Sequence, residues 1–169
     1  MTNKSSRSRR DSPIFADVIV DDREDRPFML VEVKALVDSS EFLREFIEQL
    51  NQADPSISFG MLVDLENIHL LKRDSSPGTF VNLVSLKTRE ILRHYAPDFA
   101  GTESRYVNSS IFHDYFETLV EGWLRDLAYH WKSTHPPGAK ALSATGLIER
   151  IANGMTRRTE VVASGSPLS

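Results

Sequence analysis

The chain has 169 residues, 40% of them hydrophobic and 26% charged, which is enough for one globular domain with its own core. With no cysteine, disulfides, thiolate zinc sites, iron–sulfur clusters and a cysteine nucleophile are excluded; with no long apolar run, a cytoplasmic protein making no membrane contact is expected. The net charge of −4 is uneven: residues 1–16 carry +3, leaving −7 on the remainder, so if the body handles nucleic acid, a metal ion or a local basic patch must offset the repulsion.

Residues 1–13 read as a disordered basic tail, 14–74 as an α/β core, 75–155 as a helical extension packed on that core, and 156–169 as a loose tail. Ala16–Val20 and Phe28–Lys34 read as two strands around the polar run Asp21–Arg26. Both are apolar on two faces, which places them in the interior of a covered sheet. Ser39 or Ser40 is positioned to cap a helix whose buried face carries Phe42, Leu43, Phe46, Ile47 and Leu50, stopped by Pro55. Ile57–Val63 and Ile68–Leu71 read as a third and fourth strand joined by the turn Asp64–Asn67.

Beyond this the pattern turns helical. A helix is expected over Ser85–Tyr95, stopped before Pro97, and a stronger one from Asn108 towards Lys132. The second carries a wide stripe at helical spacing, Ile111 through Phe116, Trp123 and Leu127 to Trp131. That stripe suits core packing, with a homodimer contact through the Ile111–Trp131 helix as the alternative. Pro136-Pro137-Gly138 breaks the chain, and a short helix near Gly146–Ala152 follows. The fold class expected is α/β: a small mixed sheet flanked by helices, with a C-terminal helical extension.

The chemistry-bearing segment is Asp17 followed by Glu32-Val33-Lys34. Residues two apart in a strand face the same way, about 6.5–7 Å apart, so Glu32 and Lys34 project together. If the two strands form a hairpin centred between Glu24 and Asp25, Val20 faces Met29, Val18 faces Val31, and Asp17 lies opposite Glu32. Opposed carboxylates repel unless a cation lies between them. Mg²⁺ or Mn²⁺, taking carboxylate and carbonyl oxygens, suits that gap, with Lys34 beside it to steady an attacking water or charge on a phosphate.

This pattern resembles the PD-(D/E)xK nuclease superfamily, in particular the N-terminal nuclease-like domain of type I restriction R subunits and small stand-alone relatives. Asp17 matches the first acid, Glu32 the second, and Lys34 the catalytic lysine, while Gln49 matches a glutamine often found on the following helix. Phe59–Asp64 and His69–Leu71 are similar to the strand pair that closes many such domains. The resemblance implies a DNA-cutting endonuclease fold with the metal held by Asp17, Glu32 and the Val33 carbonyl, and Asp17, Glu32, Lys34 and Gln49 as catalytic residues. It spans Phe15–Lys72. Ala16 stands where proline often precedes the first acid, and an arginine-rich tail stands where relatives carry a helix with a further acid. The C-terminal helices, or another subunit, are candidates to replace that helix. A catalytically inactive binding or dimerisation module on the same fold is the alternative function.

Other features read as ordinary. His69, His94, His113, His130 and His135 show no H-E-x-x-H spacing, so surface or amphipathic positions are expected for them. Asp21 and Asp22 suit a turn. No phosphate-cradling glycine loop or nucleophile elbow is present.

Overall fold

The computed structural model describes residues 16–75, 79–99 and 110–159, so the expected basic tail and the chain from 160 onward lie outside the described residues. The elements are β1 (Val18–Asp21), β2 (Pro27–Val33), α1 (Ser40–Asn51), β3 (Phe59–Val63), β4 (Asn67–Arg73), β5 (Phe80–Lys87), α2 (Thr88–Leu92), α3 (Ser110–Tyr129), α4 (Ala139–Ser143), α5 (Leu147–Ile151) and β6 (Met155–Arg158). One six-stranded mixed sheet runs in the order β5-β4-β3-β2-β1-β6. Among the described residues only β2 and β3 pair in parallel, joined through α1 as a crossover. The fold is therefore α/β with helices on both faces.

The first hairpin pairs Val18 with Val31 and Val20 with Met29, as the apolar alternation dictates. Its turn is held by Asp22, whose Oδ1 accepts from the amides of Glu24 and Arg26 at 2.9 and 3.1 Å, a turn role rather than a cation-binding one. Strand β1 is buried along its whole length because β2 and β6 flank it and helices cover it. Alternation along β2 divides the interior in two. Leu30, Leu62 and Leu71 pack beneath Phe46 and Leu50 of α1. Val18, Val20, Met29, Val31 and Val33 face the larger layer built on Phe112, Phe116, Val120, Trp123, Leu124 and Leu127 of α3.

Two strands lie where the sequence suggests helix or loose chain. The segment Ser85–Tyr95 is not one helix: β5 continues to Lys87 and only Thr88–Leu92 is helical. The cause is pairing, since β5 follows the outer edge of β4 from Asn67 to Arg73 and so satisfies its backbone groups. Met155–Arg158, straddling the expected start of the loose tail, becomes β6 against β1. The sheet therefore draws strands from beyond residue 74. Ser39 precedes α1 but does not cap it; its hydroxyl donates to Asp64 Oδ2 at 2.7 Å and ties the helix entry to the β3–β4 turn.

The centre of the α3 stripe is spent on the chain's own sheet. Trp123 is fully buried, with its indole N–H donating to the Pro137 carbonyl at 2.8 Å, while exposed Ile111, Tyr115, Tyr129 and Trp131 sit towards the stripe's ends. Trp123→Ala is accordingly expected to cost roughly 3–5 kcal/mol in urea unfolding, with no change of oligomeric state in sedimentation.

Candidate functional site

The site forms where β1 stops short of β2. Along β2, Val31 and Val33 turn their main-chain groups towards β1, and Lys34 turns its amide the other way, donating to the Val63 carbonyl at 2.8 Å. The Asp17 amide donates to the Val31 carbonyl at 2.9 Å, the last backbone bond on that edge among the described residues. Val33 lies one step further, where no β1 residue remains, yet its side chain is buried and its peptide groups require partners. Side chains supply them. The Val33 amide donates to Asp17 Oδ2 at 2.7 Å, and the Val33 carbonyl accepts from His113 Nε2 at 3.1 Å.

A carbonyl only accepts, so Nε2 of His113 carries the proton and the lone pair of a neutral ring lies on Nδ1. That nitrogen lies 3.3 Å from Glu117 Oε1, one helical turn along α3. The ligand atoms of Asp17, His113 and Glu117 all fall within 4.8 Å of one another. Asp17 is half-buried, the His113 side chain keeps 36% of its surface exposed and the Glu117 side chain 10%. Burial, with the Asp17 charge and a hydrogen bond to Asp17 adding to it, pushes the Glu117 carboxyl up to about 7 against the pull of His113 and Arg158. Near neutral pH, Glu117 thus binds and releases its proton.

Glu121, one turn further along α3, makes a contrast. It is also buried, yet it accepts from Arg125 at 2.5 Å, Thr156 at 2.9 Å and Arg158 at 3.0 Å. Its lone pairs are committed to fixing β6 against α3. Glu117 instead has the His113 ring at 3.3 Å, the neighbouring Asp17 carboxyl and a distant approach from Arg158 at 3.9 Å.

Glu32 and Lys34 flank Val33 on the α1 side of the sheet. Lys34 Nζ pairs with Glu32 Oε1 at 2.9 Å and sits over the Phe42 ring, 4.8 Å from its centre. Burial raises the Glu32 carboxyl; the Lys34 ammonium opposes this, and the charges of Asp17 and of Glu45 on α1 add to it. The structure therefore brings Asp17 together with His113 and Glu117, and holds Glu32 with Lys34 within electrostatic reach of Asp17. The Val33 carbonyl, expected to face a metal, is turned to the His113 ring. Gln49 is half-buried one turn beyond Glu45; among the described residues no hydrogen bond ties its side chain to Asp17, Glu32 or Lys34.

Sequence reading does not single out His113 or Glu117. The available signal is their four-residue spacing on the edge of the apolar stripe, one helical turn apart, which acquires meaning only once α3 is known to cross the end of β1. Comparison with family models, with curated proteins and with solved structures finds no match to this chain. Among the described residues no helix is long and apolar enough to cross a membrane.

Folded Glu117 keeps its proton up to about pH 7, whereas a carboxyl at its ordinary value of 4.5 loses it earlier. Between those values the folded state binds the extra proton, so stability falls as pH rises through that window. Glu117→Gln removes the penalty. Without added metal, this variant is expected to exceed wild type by on the order of 1–3 kcal/mol at about pH 8, and by less at about pH 5, in urea unfolding.

Proposed function

We propose that the chain is a metal-dependent nuclease domain that hydrolyses DNA phosphodiester bonds, with a divalent cation held by Asp17, Glu117 and Nδ1 of His113. The observation that carries this reading is one imidazole nitrogen and two carboxyl oxygens lying within 4.8 Å of one another, with the other ring nitrogen anchored on the Val33 carbonyl. A ring whose other N–H is anchored on a backbone carbonyl is the usual arrangement of a metal-binding histidine. A cation bound there would displace the proton that burial holds on Glu117. Two carboxylates suit Mg²⁺ or Mn²⁺, and the imidazole tilts the choice to Mn²⁺.

The resemblance to PD-(D/E)xK nucleases supports the same reading. The acid that relatives carry on a preceding helix has a counterpart in Glu117, delivered by α3 from the other end of the chain. A bound cation would polarise a phosphate oxygen and lower the pKa of nearby water. The protein's own groups account for the rest. Lys34, steadied by Glu32 and Phe42, donates to the phosphoryl oxygen on which charge develops. Glu32, its affinity for protons raised by burial, takes the proton of the attacking water as the new O–P bond forms and the bond to the leaving oxygen breaks. We give Glu32 this role rather than a ligand's because its Oε1 is engaged by Lys34. Gln49 is assigned to orienting the substrate by the resemblance alone.

The test is calorimetry with Mn²⁺ alongside cleavage of supercoiled plasmid. Asp17→Asn and Glu117→Gln are expected to lose both Mn²⁺ binding and cutting. Lys34→Ala should bind Mn²⁺ normally and cut roughly 10²–10³ times more slowly. Mn²⁺ affinity should fall by about tenfold per pH unit below 7, because each ion displaces one proton. Equal cutting by wild type and all three variants overturns the proposal. Mn²⁺ binding with no cutting by wild type leaves the inactive binding module.

A further inference from the structure

We infer that Arg158 forms a phosphate subsite beside the cation cluster, an inference that rests on the nuclease reading for its substrate. Arg158 pairs with Val18 across β6 and β1, next to Asp17, and it points towards α3. Its Nε donates to Glu121 Oε2 at 3.0 Å and its Nη2 to the Thr118 hydroxyl, so the guanidinium plane is fixed from two sides. Nη1 faces Glu117 at 3.9 Å, beyond hydrogen-bond length, and 39% of the side chain is exposed. A planar, permanently charged guanidinium held by Nε and Nη2, with Nη1 turned to the cluster, matches a phosphodiester oxygen.

Glu121 is shared by two guanidinium groups, Arg158 and Arg125, so its single charge is divided between them, and the second acid that Arg158 approaches, Glu117, stands 3.9 Å away. The body carries net negative charge, and this spot adjoins the carboxyls that need a cation. Arg157, the next residue, faces the opposite side of the sheet and is taken by Asp21 at 3.0 Å, which makes it an internal control. The subsite is a property of β6 and α3 together, and no part of the E-x-K segment contributes to it.

The experiment measures binding of a short fluorescent DNA duplex to the full chain in Ca²⁺, which permits binding without cutting, across a salt series. Arg158→Gln is expected to weaken binding by about tenfold and to flatten the salt dependence by roughly 0.9, one phosphate contact in duplex DNA, while Mn²⁺ binding persists. Arg158→Lys keeps Glu121 paired, and hence the fold, but not the fork; an intermediate loss is expected. Arg157→Gln should leave the salt slope unchanged. The inference is overturned if wild type does not bind the duplex, if Arg158→Lys and Arg158→Gln bind as wild type does, if Arg157→Gln loses as much, or if polyglutamate competes as well as DNA. If Arg158-dependent binding is found without cleavage in Mn²⁺, the hydrolytic reading fails and the phosphate subsite stands. If wild type cuts DNA and the Arg158 variants bind and cut equally well, the reverse holds.

Discussion

A strand that ends one residue too early governs this structure. Because β1 stops, the amide and carbonyl of Val33 face a vacant rung of the ladder, and a buried peptide group cannot be left there unpaired. The Asp17 carboxylate and the His113 imidazole occupy that rung in place of backbone. One bond fixes the carboxylate against β2; the other sets the tautomer of the ring and directs its second nitrogen at Glu117. The backbone requirement thus places three titratable side chains together.

Two glutamates on one helix show how surroundings divide otherwise equal residues. Glu117 and Glu121 lie one turn apart on α3, and both are buried. Glu121 has three donors; Glu117 has a neighbouring carboxyl and a guanidinium held at a distance. The first is fixed by its donors, and the second holds a proton more tightly than an ordinary carboxyl. Strand β6 makes the difference, because Thr156 and Arg158 both deliver their donors to Glu121 rather than to Glu117.

Much of the first half of the fold is legible in the residues alone. The β1–β2 hairpin, its register, helix α1 and the β3–β4 pair follow from local periodicity and turn residues, and with them the placement of Glu32 and Lys34. What is not legible is set by distant pairing. In β5 the register shifts, so that Asn82 opposes Leu71 and Val84 opposes Leu70. Leu83 is the extra residue, which spoils the two-residue alternation and leaves leucines at near-helical spacing. Strand β6 is four residues long, three of them exposed, and only β1 makes it a strand. His113 and Glu117 have no local signature beyond their spacing, and their meaning comes from a helix crossing a strand end a hundred positions away in the sequence.

That separation sets an order of events. Contacts between distant segments carry the largest closure entropy and form once the local ones are in place. The hairpin bearing Glu32 and Lys34 belongs to the early part of the chain, whereas α3 and β6 must be synthesised, docked and paired before Asp17 meets its partners. The acid–imidazole cluster is therefore a late product of maturation, and a nascent or unravelled polypeptide has the pieces without the assembled centre.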